Sequence, residues 1–310
     1  MTLFLTEGDA ATLFERAEAV AVVEDSFRRL AEGDVASQPR IRLPLDGGAL
    51  ALMGAVDRGL GVAGVKTYSA VAGNAAFVVV LFDAESGECV AVIEANGLGQ
   101  LRTGAASGVA AKYLAREGAA TLGIIGCGFQ AEAQVACIRA AVPTIEHVIA
   151  YCRTEAKLDA FCKRVGADAA ETNREAVDGA DVVVTATTSK DPVLRGEWLR
   201  AGALVCAIGA NHRSRRELDN VVLERATFVC CDSRTQARLE SGDLIEPVDG
   251  GVLDWLEVHE LQDVVSGQLR GRESDEDVVV FKSNGLAAWD IAIGAAAVER
   301  ARERGVGREL

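Results

Sequence analysis

The sequence predicts an α/β protein: a doubly wound parallel sheet joined to a second portion of mixed helices and strands. Three observations predict it. Residues 123–131 read Gly-Ile-Ile-Gly-Cys-Gly-Phe-Gln-Ala, a Gly-x-Gly-x-x-Ala turn between an apolar run and a segment of helical spacing. From Thr121 onward, short apolar runs alternate with helical patterns, the rhythm of parallel strands joined by crossover helices. Between residues 50 and 95 the rhythm differs: β-rich runs are separated by Gly-containing turns, as in an antiparallel meander.

Taken in order, the first 32 residues read as two short amphipathic helices. Extended segments are predicted at 50–56, 62–69, 76–82 and 89–95, with Asp46-Gly-Gly, Ala72-Gly-Asn and Glu85-Ser-Gly as turns. An Ala-rich helix over 101–116 leads into the Gly motif. Strands are then predicted at Thr121–Ile125, His147–Tyr151, 181–185, 203–208, 227–231 and 278–281. Helices are predicted at 130–141, Glu155–Val165, 234–241 and 259–266. A final helix, 286–304, is expected to fold back onto the N-terminal half. No internal repeat, low-complexity tract or linker interrupts the chain.

Bulk properties narrow the function. At 310 residues the chain has length for two domains and an ample core. A net charge of −14 argues against nucleic acid, because phosphate neutralisation needs a basic face. No apolar run reaches the roughly 18 residues of a membrane span. The N-terminus lacks the basic start and apolar core of a signal peptide, so a cytoplasmic protein is expected. The 8 Cys form no Cys-x-x-Cys pair and are expected to be buried, reduced thiols. With 3 scattered His, no metal site is expected.

The Gly motif carries the most chemistry. Gly126 permits the tight turn, Gly128 leaves room for a pyrophosphate, and Ala131 lets helix and strand pack closely. The N–H groups of the following first turn then face an anion. An acidic residue about 20 positions on accepts the ribose 2′-hydroxyl in NAD-binding versions of this turn. Here that position is Cys152, followed by Arg153 and Thr154. A guanidinium and a hydroxyl suit a 2′-phosphate, so NADP(H) is favoured over NAD(H), unless Arg153 is only a solvated loop charge.

Four further features look chemical. Pro39-Arg-Ile-Arg42 places two guanidinium groups ahead of an extended segment. Lys66 lies in an otherwise apolar strand, pointing into a polar cleft or out to solvent. Arg102 opens a helix, where the macrodipole prefers an anion. Arg216-Glu-Leu-Asp219 follows the strand that ends near Gly209, at the edge where parallel sheets bind ligands. Asp219 is a proton-transfer candidate or the N-cap of a helix starting at Asn220.

Together, Pro39-Arg40, Gly64-Val-Lys-Thr67, the run Arg102–Ala115, Gly126-Cys-Gly-Phe-Gln-Ala131, Thr185–Pro192, Ala207-Ile-Gly-Ala210 with Glu217-Leu-Asp219, and Phe281-Lys-Ser-Asn-Gly285 resemble the ornithine cyclodeaminase/μ-crystallin family. That family also contains alanine dehydrogenases and ketimine reductases. The resemblance implies a Rossmann-like domain, 117–285, inserted in a substrate-binding and dimerisation domain built from 1–116 and 286–310. It implies that Arg40, Lys66 and Arg102 clamp a substrate α-carboxylate and that Asp219, with Lys66, is catalytic near the substrate nitrogen. Arg102, Thr103, Gly126, Gly128, Phe129, Gln130, Arg153, Thr154, Thr185 and Ser283 match positions near the dinucleotide. The implied activity is NAD(P)H-dependent oxidoreduction at the C–N bond of an α-amino or α-imino acid, with α-keto acids as partners in reductive amination. The alternatives are an ornithine cyclodeaminase, which forms proline and ammonia, and a non-catalytic crystallin-like NADP binder. A homodimer is implied, with no nucleic-acid or membrane partner. Cys152 replaces the family's Asn, and the loop 211–216 is more basic than usual.

Overall fold

The computed structural model describes residues 1–310. Its contacts divide the chain into two units, Met1–Arg102 with Leu286–Leu310, and Thr103–Gly285.

The first unit opens with β1 (Leu3–Leu5), α1 (Glu7–Ala11), α2 (Arg16–Glu32), β2 (Val35–Ser37) and β3 (Ile41–Leu45). Long strands follow: β4 (Gly48–Asp57), β5 (Val62–Val71), β6 (Asn74–Asp83) and β7 (Cys89–Glu94). Thr6 caps α1 through a reciprocal capping box with Asp9. β4 to β7 form the predicted antiparallel meander, with Lys66 opposite Met53 on one side and Val79 on the other. β2 and β3 both pair with β4. The sheet is not purely antiparallel, because β1 adds to β7 in parallel. Three residues are too few to show that strand as an alternation.

α3 (Asn96–Leu114) starts earlier than the Ala-rich pattern indicated. The units divide inside it rather than after residue 116. The physical reason is packing: a Cβ on Gly104 would lie 2.4 Å from the Ala133 carbonyl oxygen, so α3 is pressed onto the next helix from this point.

The second unit contains β8 (Thr121–Ile125), α4 (Phe129–Ala141), β9 (His147–Tyr151), α5 (Glu155–Val165), β10 (Asp168–Ala169), α6 (Asn173–Val177), β11 (Val182–Thr185) and β12 (Leu204–Ala207). α7 (Asn220–Arg225), β13 (Ala226–Cys231), α8 (Arg234–Glu240), α9 (Gly242–Asp249), β14 (Val258–Glu260), α10 (Leu261–Val265) and β15 (Val278–Lys282) complete it. All its strand pairs are parallel. The order is β10-β9-β8-β11-β12-β15-β13-β14. The chain winds from β8 through β9 to β10, then crosses to β11 and winds the other way. The carboxyl ends of β8 and β11 therefore flank the switch point, where such sheets open a ligand crevice. β11, β12 and β15 are buried at every residue, as apolar runs covered on both faces must be. The helix predicted at 259–266 begins only at Leu261, because His259 and Glu260 belong to the edge strand β14.

The amino ends of the central strands β8 and β11 are tied by Asp181. Its carboxylate accepts from Ala120 N at 2.7 Å, Thr121 N at 3.0 Å, Arg116 Nε at 2.7 Å and Arg200 Nη1 at 2.9 Å.

The last helix, α11 (Ala287–Arg304), and β16 (Arg308–Glu309) return the chain to the first unit. α11 packs on α2 and on β4, β5 and β6. Trp289 is fully buried there, its ring tilted against Phe27 at 5.1 Å. No helix is long and apolar enough to cross a membrane.

The close approach at Gly104 yields a stability prediction. Gly104→Val forces α3 away from α4 and should cost roughly 1–3 kcal/mol, as overpacking does. Thermal denaturation should show a lowered Tm, and an unchanged Tm would mean that α3 has room to move.

Candidate active site

Two half-sites can be built from the residues upward, one in each unit. In the second, β8 ends at Ile125 and the chain turns through Gly126, whose N–H donates to Tyr151 O at 2.8 Å. Gly126 has φ of 110°, and a Cβ there would lie 2.5 Å from Ala186 O, so only glycine serves. Gly128 is the N-cap of α4 and has open space beside its Cα. Ala131 is fully buried beneath the turn. A cleft of about 720 Å³ opens at this edge.

A dinucleotide fits what lines this cleft. The first turn of α4 offers backbone N–H groups to a pyrophosphate. Phe129 is 58% exposed at the mouth, and Gln130 Oε1 is enclosed without a partner. Arg153, Thr154, Lys157 and Arg164 line the far end. Arg164 pairs with Glu132 at 2.6 Å, whereas Arg153 and Lys157 make no ion pair. Thr154 is the N-cap of α5, yet its hydroxyl makes no capping bond and stays available. No carboxylate stands at Cys152, so nothing there repels a 2′-phosphate.

Two expected cofactor residues sit elsewhere. Thr185 is fully buried and its hydroxyl is enclosed; Thr187 and Ser189 line the cleft instead. Ser283 is buried and donates to Asp232 Oδ2 at 3.0 Å. The same oxygen accepts from Asn284 N at 2.7 Å and Gly285 N at 2.5 Å. Asp232 and Ser283 thus shape the turn after β15. Thr103 is buried within α3.

The first unit gathers the expected carboxylate clamp. Lys66 is 2% exposed, which settles the two readings of that strand position in favour of the interior. Its Nζ lies 2.7 Å from Asp290 Oδ1. Arg102 Nε lies 3.0 Å from the same oxygen. Arg102 also stands over the Trp289 ring at 5.8 Å, and Lys66 over Phe77 at 5.4 Å. Arg40 is 9% exposed. Burial pulls the Lys66 pKa down to about 8; the positive fields of Arg102 and Arg40 push the same way, against the opposing pull of Asp290. Two buried cations, Lys66 and Arg102, therefore share one carboxylate oxygen. Asp290 Oδ2 and Arg102 Nη1 are enclosed without partners. Such an excess is costly to bury unless an anion completes it.

Asp290 escaped the sequence reading. Its only signal is an acid in the first turn of α11, within the apolar run Leu286-Ala-Ala-Trp-Asp-Ile291.

Asp219 takes the capping place that the sequence allowed beside proton transfer. Its Oδ1 accepts from Val222 N at 3.1 Å and from Gly196 N at 3.0 Å, so the side chain caps α7 and ties it to a neighbouring loop. The buried acid of that motif is Glu217, which is fully enclosed. Its carboxylate accepts from Thr187 N at 2.7 Å, Thr187 Oγ1 at 2.8 Å, Gly209 N at 2.7 Å and Ala210 N at 3.0 Å. Burial pushes its pKa up. Asp243 accepts from Glu217 N at 2.7 Å and pairs with Lys282 at 3.0 Å, and Lys282 donates to Ala210 O at 2.6 Å. This buried ionic triad fixes both ends of the basic loop 211–216 and the Thr187 wall of the cleft.

The model of the ornithine cyclodeaminase/mu-crystallin family matches residues 2–305. An alanine dehydrogenase of Archaeoglobus fulgidus is 36% identical over 320 residues, covering 100% of this chain and 98% of that protein. A Delta(1)-pyrroline-2-carboxylate reductase of Bacillus cereus is 40% identical over 273 residues, covering 84% of this chain and 83% of the relative. The Delta(1)-pyrroline-2-carboxylate reductase of Thermococcus litoralis, solved with NADH and L-proline, superposes with a TM-score of 0.95 at 31% identity, and each chain is covered completely. The dinucleotide turn, the doubly wound sheet and these whole-length matches agree: the chain belongs to the ornithine cyclodeaminase/mu-crystallin family.

Proposed function

We propose that this chain is an NAD(P)H-dependent oxidoreductase acting at the C–N bond of α-imino and α-amino acids, with NADP(H) preferred. The observation that carries the reading is the buried excess of Lys66 and Arg102 over Asp290, whose one oxygen they share. A substrate α-carboxylate supplies the missing negative charge. Charge-assisted hydrogen bonds of this kind contribute about 1.5–3 kcal/mol each. A bound dinucleotide supplies a hydride to the α-carbon, or accepts one in the reverse direction.

The chain's own residues do the rest. Arg40 and Arg102 hold the carboxylate and fix the α-carbon's orientation. Asp290 holds Lys66 and Arg102 in register through one shared oxygen. Lys66, with a pKa near neutrality, gives a proton from Nζ to the imine nitrogen and regains it from water. Asp219 is assigned to capping and not to proton transfer. The row Ile41, Leu43 and Leu45 on β3, each more than 40% exposed, supports association into a homodimer.

Cyclodeamination of ornithine would use the same dinucleotide without net turnover. Steady loss of nicotinamide absorbance with a cyclic imino acid, or with an α-keto acid and an amine, separates the two activities.

Proton donation assigns opposite outcomes to two variants. Lys66→Met should lower kcat by on the order of 10²–10⁴. Asp219→Asn should keep kcat near wild type, since Asn caps nearly as well as Asp. Loss of activity in Asp219→Asn with normal folding, beside an active Lys66→Met, would reverse the assignment. The sign of the pH dependence follows from the lowered pKa: in the free enzyme the ammonium form dominates below about 8, so kcat/KM for imine reduction should fall as pH rises through about 8. A profile flat from pH 6 to 10 would contradict a donating Lys66.

Cofactor preference rests on Arg153 and Thr154. Arg153→Ala should weaken NADPH by about tenfold, a charged hydrogen bond discounted for solvent exposure, and leave NADH nearly unchanged. Equal kcat/KM for the two dinucleotides in wild type and variant would remove Arg153 from the site.

A further inference from the structure

All 8 cysteines are free. Five are buried, and Cys89 lies on a strand of the first unit. The remaining two, Cys127 and Cys152, are half-buried and both line the dinucleotide cleft. Cys127 stands between the two glycines of the turn. Cys152 directly follows β9, at the position from which an acid would reach the ribose.

The backbone brings the two together. Ile125 and Tyr151 are paired in register at the ends of β8 and β9. The next bond, from Gly126 N to Tyr151 O at 2.8 Å, carries the pairing up to the cysteines. Continued one step, the register sets Gly126 opposite Cys152 and Cys127 one residue further along; a strand spacing of about 4.8 Å with that offset stays within the roughly 4.4–6.8 Å that a disulfide spans between Cα atoms. After burial, the Cys152 side chain is the strongest influence on the Cys127 thiol, and both push its pKa up.

We infer that Cys127 and Cys152 are an oxidisable pair whose disulfide closes the dinucleotide site. The inference rests on the dinucleotide reading of this cleft. The oxidant is a peroxide. The Cys152 thiolate, on a wall that also carries Arg153 and Lys157, attacks the O–O bond, leaving a sulfenic acid and releasing hydroxide, which takes up a proton as water. The Cys127 sulfur then displaces the sulfenic oxygen. The sulfur–sulfur bond forms as the S–O bond breaks, and a second water leaves with the Cys127 proton. In sum, two thiols and one peroxide give one disulfide and two waters, a two-electron oxidation. A thiol reductant reverses it by exchange. The bridge pins the Gly126–Gly128 turn to the end of β9, across the space for the ribose and its 2′-group.

The test uses the full chain. Reduced protein is treated with hydrogen peroxide, with and without saturating NADPH, and peptides are mapped by mass spectrometry. NADPH affinity is measured by fluorescence before treatment, after it, and after dithiothreitol. Expected are a Cys127–Cys152 cross-linked peptide, slower cross-linking in the presence of NADPH, and an affinity loss on the order of tenfold or more from the obstructed site. Dithiothreitol should restore the affinity, and Cys152→Ser should show no peroxide-dependent change relative to its own untreated form. Bridges to other cysteines only, or a Cys127–Cys152 bridge with unchanged affinity, would overturn the inference. If the reduced protein binds neither NADPH nor NADH, the dinucleotide reading itself fails and the inference falls with it, whatever bridge the peptides show.

Discussion

Two cations buried on one carboxylate oxygen are the constraint on which the rest of the structure depends. Lys66 sits mid-strand in the meander, Arg102 in α3 and Asp290 in α11, so three distant stretches of chain must meet to build the cluster. A fourth, the segment before β3, contributes Arg40. Hydrophobic packing alone would not place charges there, since a buried ion costs several kcal/mol even when paired. The arrangement makes sense as a prepared anion site. Asp290 holds Lys66 and Arg102 in fixed positions without neutralising both. Burial and the neighbouring guanidinium groups lower the Lys66 pKa to about 8, in the range that the proposed proton donation needs.

The second unit solves a different problem. Its parallel strands need no charge inside, and β11, β12 and β15 carry none before Lys282. Charge appears at the edges. Asp181 ties the amino edge, while Glu217, Asp243 and Lys282 are sealed beneath the carboxyl edge. Each acid of that second group spends its oxygens on backbone N–H groups. Their product is loop position: Thr187, Gly209, Ala210 and Leu218 are all held by direct bonds to the two acids.

Much of this was legible in the sequence where the signal was local. The Gly-x-Gly-x-x-Ala turn, β8, β9 and α5 fall where the residue pattern puts them, because period and turn chemistry act over a few residues. Short elements that depend on a partner, such as β1, β10 and β14, left no pattern of their own. The proposed clamp cations rest on resemblance, since Lys66 in an apolar strand is compatible with either face. Asp290 was invisible because its partners lie 224 and 188 positions away. Asp219 reads from the sequence as a proton-transfer group or a cap; its side chain caps α7, and the enclosed acid of that motif is Glu217. Two acids two residues apart cannot be told apart until the fold shows which one faces inward.

Proton linkage on ligand binding tests the central claim most directly. A carboxylate entering the cluster should stabilise the ammonium form of Lys66. Calorimetric titration of the NADP-loaded protein with L-proline or L-alanine, repeated in buffers of different ionisation enthalpy, reads the protons exchanged. The account predicts uptake approaching one proton per site above about pH 8, where free Lys66 is largely neutral, and none near pH 6. Binding without proton uptake at any pH, or unchanged binding in Lys66→Met, would contradict it.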